Sequence, residues 1–417
     1  MLKVINALLN FIYYYPLFMA YLWIMGAVYY YHKWEGRGKR SFEDVPNLPS
    51  HPLVSIIVPC YNEGENIKET IDYLFKLKYP NYEVIVINDG STDNTRKILD
   101  EMLNKYQSLR IVHLASNQGK PMGLRVGSLV SRGEYLICID GDTVLDPYAV
   151  TWIMWHFINY PRVAAVTGNP RIRTRSTLLG KIQVGEFSAI IGMIKRAQRI
   201  YGRIFTVSGV VAGFRKSALQ RVGYWSLDMI TEDIETSWKL QLDHWDIRYE
   251  PNALCWMLAP ETLKGLWIQR LRWAQGGFQV FFKHLRDFFS WRKRRMWPIF
   301  FEYAISAFWS YSMATVIVLW VLGQIVRMPS YLHVSAVFPP GWAGVILAIT
   351  CLLQFAVSLF IDGRYEKRFG KFYYWMIWYP LVYWVINVAT IVVGVPRALI
   401  RKRGKRAIWK SPDRGVR

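Results

Sequence analysis

Hydrophobic and polar positions divide the chain into three regimes. Four long stretches carry no Asp, Glu, Lys or Arg: Val4–Tyr31, Tyr303–Val326, Met328–Ile361 and Phe372–Val395. Each exceeds the ~20 apolar residues that cross a bilayer as a helix. Between the first and second, from Leu53 to about Cys255, short β-branched runs alternate with helical periodicity. Leu53–Val58 ends in Pro59 and reads as a buried strand; Tyr82–Asn88, Arg110–Leu114 and Glu134–Asp140 read as three more. Helical stretches fall at Glu65–Leu77, from about Thr92 to Tyr106, and after Gly119. This alternation predicts an α/β domain whose parallel sheet is covered by helices on both faces, with ligands bound beyond the carboxyl ends of the strands. The third regime, Leu263–Leu285, mixes Trp, Leu and Phe with Arg and Lys and suits a helix lying in the membrane interface.

Composition agrees. The 417 residues are 52% hydrophobic and only 20% charged, which excludes a disordered chain, a collagen-like repeat and a small disulfide scaffold. Nineteen Trp and 26 Tyr fit aromatic belts at membrane–water boundaries. The first uncharged run is too long for a signal peptide and lacks a small-residue cleavage site, so it reads as an anchor. The basic stretch from His32 to Arg40 after it puts the following domain in the cytosol.

A net charge of +22 raises the question of nucleic acid. Residues 171–203 hold eight basic side chains against one acidic, residues 283–295 six against one, and residues 397–417 nine against one. Two of these segments flank hydrophobic spans, and no nucleic-acid motif occurs, so the lipid bilayer is the expected partner and nucleic acid is not. Cys60, Cys138, Cys255 and Cys351 form no CxxC pair and read as small hydrophobes; seven scattered histidines suggest no zinc site.

Unusual residues collect at the strand ends: Pro59-Cys60-Tyr61-Asn62-Glu63, Asn88-Asp89-Gly90-Ser91-Thr92-Asp93, and Asp140-Gly141-Asp142. Carboxylates at three tips of one sheet edge repel each other unless a cation or a donor-rich ligand sits among them. Turn and cap chemistry accounts equally well for Ser91 and Asp93. It accounts less well for Asp140 and Asp142, which can face one metal-bound diphosphate.

These motifs, followed by Thr231-Glu232-Asp233 and Gln269-Arg270-Leu271-Arg272-Trp273, stand in the order seen in processive family-2 glycosyltransferases, which the chain resembles from about Leu53 onward. Cellulose, chitin and hyaluronan synthases share the set. The stretches Gly168-Asn169-Pro170-Arg171-Ile172-Arg173-Thr174-Arg175, Thr206-Val207-Ser208-Gly209 and Pro260-Glu261-Thr262-Leu263-Lys264-Gly265-Leu266-Trp267, with the tail Ser411-Pro412-Asp413-Arg414-Gly415, are similar to bacterial poly-β-1,6-N-acetylglucosamine synthases. The resemblance implies a GT-A (Rossmann-like) domain between membrane helices that polymerises N-acetylglucosamine from UDP-N-acetylglucosamine onto a growing glycan and couples synthesis to export through the bacterial inner membrane. Chitin- or hyaluronan-like synthesis, or an inactive polysaccharide channel, are the alternatives.

Roles are carried over position by position. Asp142, with Asp140, would hold Mg²⁺ or Mn²⁺; Tyr61 would stack on the base, Asp89 accept from the uracil, and Glu63 and Lys120 support the nucleotide. A solvated lysine at a helix start is the ordinary alternative for Lys120. Asp233 would be the general base of an inverting displacement, with Glu232 unassigned. Arg272 would face the leaving diphosphate, Gln269 would share that motif, and Trp273 would cap the acceptor sugar. Snorkelling is the ordinary expectation for Arg270 and Trp267, and Glu302, Trp309, Trp375 and Trp384 are candidate channel lining. The resemblance also implies a small membrane partner subunit (PgaD-like) and cyclic di-GMP control.

The expected boundaries are an anchor at 1–33, a linker at 34–52, the transferase domain at 53–257, interfacial helices at 258–296, about three membrane helices at 297–395 and a basic tail at 396–417. Three crossings would strand that tail outside, against the positive-inside rule. Either one stretch is re-entrant, with Pro339-Pro340 or Pro380 as the break, or the tail is an exception.

Overall fold

The computed structural model describes residues 2–36, 43–329, 332–334, 336–337, 342–402 and 404–409. Pro339-Pro340, part of the basic stretch ending at Arg40, and the tail motif at 411–415 lie outside the described residues.

The chain opens with α1 (Leu2–Tyr30), continued by a π-helical turn at Tyr31–Glu35. The α/β domain follows as β1 (Val54–Cys60), α2 (Ile67–Leu74), β2 (Tyr82–Asn88), α3 (Thr95–Lys105), β3 (Leu109–His113), α4 (Lys120–Val130) and β4 (Tyr135–Ile139). Every position of β1 is buried, as a strand covered on both faces requires. Next come β5 (Val144–Leu145), α5 (Ala149–Asn159), β6 (Val163–Ile172), α6 (Leu178–Glu186), a π-helical stretch at Phe187–Met193, and α7 (Ile194–Tyr201). The domain closes with β7 (Val211–Arg215), α8 (Lys216–Arg221), α9 (Glu232–Leu242) and β8 (Asp246–Met257). Cys60, Cys138 and Cys255 are buried free thiols within it.

Eight strands form one sheet in the order β3-β2-β1-β4-β7-β6-β8-β5. The expected parallel pairing holds for β1 to β4. It extends to β6 with β8 but breaks at two strands: β7 runs antiparallel to both β4 and β6, and β5 antiparallel to β8. The cause is the connection. From the end of β6 the chain passes through α6 and α7 along that same edge, so β7 starts there and runs back.

The helices that follow are α10 (Leu263–Phe288), a 3-10 turn at Trp291–Met296, α11 (Trp297–Ile325), α12 (Trp342–Asp362), a 3-10 stretch at Phe369–Trp378, and α13 (Tyr379–Ile400). Four helical segments, Ile5–Glu35, Trp291–Ile325, Trp342–Asp362 and Tyr383–Ile400, are long and apolar enough to cross a membrane. Helix α7 packs along α1, and the π-helical stretch before it packs on α12, so part of the catalytic domain is built onto the membrane helices.

Helix α13 brings the chain back to the catalytic domain. Near its start the Tyr383 hydroxyl donates to Leu179 O of α6 at 3.4 Å, and after it Ala407 N donates to Leu227 O at 3.0 Å while Trp409 N donates to Asn117 Oδ1 at 3.2 Å. Both ends of α13 therefore meet the catalytic domain, and residues 404–409 lie against it.

One buried ionic knot ties these layers together. Asp362, at the end of α12, accepts from Arg171 Nη1 of β6 at 2.8 Å and pairs with Arg196 Nη1 of α7 at 2.9 Å; Arg196 Nε reaches Glu35 at 3.0 Å. All four residues are at most 4% exposed. Removing one partner of a buried charged cluster strands the others without solvent. Asp362→Ala is therefore expected to cost about 3–5 kcal/mol, read as a large drop in thermal unfolding temperature of the detergent-solubilised protein, whereas Glu101→Ala, at an exposed position of α3, should leave it nearly unchanged.

Candidate active site

The carboxyl ends of β1, β2 and β4 meet as the pattern of strand tips required. Asp89, fully buried after β2, accepts Gln118 N with Oδ1 and Gly119 N with Oδ2, both at 2.8 Å. These bonds hold open the turn that precedes α4. Gly119 adopts φ +91°, and a Cβ there would stand 1.8 Å from Ala407 O, so the close approach of the tail requires glycine. Burial raises the Asp89 carboxyl against the pull of the two amides. Glu63 is 1% exposed, accepts from Asn66 Nδ2 at 3.1 Å and donates its own amide to Thr95 Oγ1, so it braces the tip of β1.

The next residue after that turn is Lys120, and it is not solvated. Its Nζ stands 2.6 Å from Asp140 Oδ1, 3.3 Å from Glu232 Oε1 and 3.1 Å from Gly209 O. Burial works against its charge, but Asp140, then Glu232 and Asp233, hold its pKa above the ordinary lysine value. Asp142 lies two residues on, 2% exposed, and burial, then repulsion from Asp140, pushes its carboxyl up to about 7. Among the described residues no group of three His, Cys, Asp or Glu could hold a metal. Asp140 and Asp142, two carboxylates separated by one residue at the tip of β4, would nevertheless suit a hard divalent cation completed by substrate phosphates.

Helix α9 begins at Glu232 with three acids in its first turn, which its N-terminal dipole favours. Burial, then Glu232, raises Asp233 to about 6, while Lys120 and Arg272 oppose the shift. A carboxylate with that value is poised to take up and release a proton near neutral pH.

Helix α10 starts at a Thr262 cap, whose side chain accepts from Gly265 N. It presents Gln269, Arg270, Arg272 and Trp273 over the site. Gln269 is 9% exposed and its Oε1 has no hydrogen-bond partner among the described residues. Arg270 does not snorkel. It is buried, its Nη2 pairs with Glu186 Oε2 at 2.6 Å, and its guanidinium lies 4.4 Å from the Trp273 ring centre. Spacing gave no sign of this partner, 84 residues away.

A single cavity of about 910 Å³ joins these groups. Lys120, Asp140, Asp142, Asp233, Gln269, Arg272 and Trp273 line it, together with Glu232 and Arg270. Tyr61, Glu63 and Asp89 do not, and stand at the neighbouring strand tips. The cavity continues between the membrane helices past Glu302, Ser306, Ser310, Thr350, Asn387 and Thr390. Trp309 and Trp384 line that continuation, with ring centres 5.1 Å apart, whereas Trp375 is outside it, under Lys181.

Sheet, strand-tip carboxylates and membrane helices define a GT-A glycosyltransferase built onto a membrane. The glycosyl transferase family 2 profile matches residues 55–223. The chain is 43% identical to the poly-β-1,6-N-acetyl-D-glucosamine synthase of Staphylococcus epidermidis over 410 residues, covering 97% of this chain and 98% of that one. Its counterpart in Staphylococcus aureus strain COL is 43% identical over 413 residues, with the same coverage. Among solved structures, a mannosyltransferase from Pyrobaculum calidifontis, described in complex with GDP-Man and Mn²⁺, shares the fold with a TM-score of 0.66 at 21% identity, over 96% of this chain and 99% of that one. The chain belongs to glycosyl transferase family 2, in the group of poly-β-1,6-N-acetylglucosamine synthases.

The Lys120 ammonium stands between Asp140 and Glu232, where it would compete with a divalent cation that arrives without nucleotide. Lys120→Met is expected to tighten Mn²⁺ binding in the absence of donor by about tenfold, equivalent to ~1.4 kcal/mol. The paramagnetic signal of free Mn²⁺ during titration of the solubilised protein reads this directly.

Proposed function

We propose that the chain is a processive, inverting transferase that moves N-acetylglucosamine from UDP-N-acetylglucosamine to the end of a β-1,6-linked polymer, a biofilm exopolysaccharide, and passes the product across the bacterial inner membrane. The observation that carries this reading is the one cavity that runs from the strand-tip carboxylates into the polar interior of the membrane helices. A hydrophilic chain cannot cross hydrocarbon unaided, so a site opening into its own polar path suits synthesis coupled to export.

Asp233 accepts the proton of the acceptor hydroxyl as that oxygen attacks the anomeric carbon opposite the nucleotide. The bond from that carbon to the UDP oxygen breaks, and an α-linked donor becomes a β-linked product. Arg272 faces the departing diphosphate with fixed positive charge, and Lys120 can turn to the same phosphates once donor is bound. Asp140 and Asp142 would hold Mg²⁺ or Mn²⁺, which when bound supplies a hard charge to the diphosphate. Tyr61 serves the uridine from its strand tip, Asp89 holds the turn that sets Lys120 beside the nucleotide, and Glu63 keeps that edge in shape. Gln269 and Trp273 take the acceptor sugar, the amide by hydrogen bonding and the indole by its apolar face. A small membrane partner subunit and cyclic di-GMP control rest on family resemblance, and assays with and without each test them.

Release of UDP from membranes carrying the protein, across a panel of UDP-sugars with divalent cation, tests the reading. UDP-N-acetylglucosamine alone should support release, and Asp233→Asn should lower the rate about 10²–10⁴-fold. Preference for another donor overturns the sugar assignment. The base must be deprotonated to work, and Asp233 stands near 6. Turnover should therefore fall as pH drops through about 6, and a rate that stays level down to pH 5 would remove Asp233 from that role.

A further inference from the structure

Lys195 belongs to no motif and to no step above, yet it lines the same cavity. Helix α7 and the turn before it turn one stripe toward that space, formed by Ile191, Ile194, Lys195 and Gln198. Lys195 is 5% exposed. Its Nζ donates to Thr167 Oγ1 at 2.9 Å, and among the described residues no carboxylate stands within ion-pair distance. The Tyr249 ring centre is 6.0 Å away. An ammonium carries three donors, and one hydroxyl uses a single donor. Burying the remainder is costly unless oxygen acceptors meet them. Burial pushes the amine down to about 7, and Asp233 pulls the other way.

Its position says what those partners are. Thr167 Oγ1 also accepts Ser208 N at 2.8 Å, and the adjoining Gly209 O accepts Lys120. Gly209 borders the base so closely that a Cβ there would stand 3.3 Å from Asp233 Oδ2. One turn beyond Lys195 on the same stripe, Gln198 lines the cavity together with Glu302 of α11. Lys195 thus occupies the wall between the base and the opening into the membrane helices, on the side where the acceptor chain must lie. Sugar hydroxyls and acetamide carbonyls are uncharged oxygen acceptors that satisfy a buried ammonium without neutralising it permanently, so the chain can advance after each transfer.

Resting on the proposed function, we propose that Lys195 is an acceptor-binding residue, whose ammonium donates to hydroxyl or acetamide oxygens of the leading sugars and holds the nascent chain in register beside Asp233. The test uses the full-length protein in lipid nanodiscs with UDP-N-acetylglucosamine and short β-1,6-linked N-acetylglucosamine oligomers. Wild type, Lys195→Met and Lys195→Arg are compared for donor KM, for the oligomer concentration giving half-maximal UDP release, and for product length. Lys195→Met should keep donor KM within about twofold, raise the half-maximal oligomer concentration about tenfold and shorten the product; one charge-assisted hydrogen bond is worth that much. Lys195→Arg, which keeps a cation, should recover part of the length. Unchanged oligomer dependence and length in Lys195→Met overturn the proposal and leave the transferase reading standing. Donor and acceptor steps that fail together in both variants, with a lowered unfolding temperature, assign Lys195 to the fold and overturn it too. A wild type that releases no UDP from this donor removes the functional reading and this one with it.

Discussion

The buried basin at the sheet edge has to hold Asp140, Asp142, Glu232 and Asp233 together with almost no solvent to separate their charges. What makes that possible is the Lys120 ammonium, set between Asp140 and Glu232 and anchored by Gly209 O. Its placement depends in turn on Asp89, which grips the turn ahead of α4, and on a glycine that lets the tail approach. Carboxylates in low dielectric repel or take up protons, and both tendencies are visible in the raised Asp142 and Asp233. The site is built short of cation charge, which leaves it receptive to a substrate that brings a diphosphate and a divalent ion together.

The same logic of compensated burial binds the catalytic domain to the membrane helices. Glu186 and Arg270 join α6 to α10 under the roof of the cavity, and Asp362 collects Arg171 and Arg196 at the end of α12. Glu35 adds the end of the first helix to that knot. A domain attached only by apolar contacts could slide along a greasy helix surface; buried ion pairs have one geometry and lose several kcal/mol outside it. That rigidity keeps the opening into the membrane helices in line with Asp233.

Motif reading reached the residues whose chemistry is local. Asp140 and Asp142, Asp233, and Arg272 with Trp273 each sit in a short word at a strand or helix end, and the cavity gathers them. It misjudged Arg270, because an arginine among Trp and Leu looks the same whether it snorkels or meets Glu186. It passed over Lys195 for the same reason: a lysine on an apolar helix shows its burial only when the helix is docked. Lys120 read as either a ligand or a solvated cap until Asp140 and Glu232 closed around it.

By itself the sequence determined the alternation of strands and helices from β1 to β4, the uncharged helices and the interfacial character of α10, since each follows from side-chain periodicity within a few turns of chain. Pairing across long separations was decided only by tertiary structure. The reversal at β7 depends on where α6 and α7 carry the chain, and the place of the segment after α13 depends on its contacts with Asn117 and Leu227. Hydrophobicity can say that a segment prefers hydrocarbon, because that preference is a sum over single residues. Which edge a strand joins, or which carboxylate a buried arginine meets, is a property of pairs, and pairs exist only once the chain is folded.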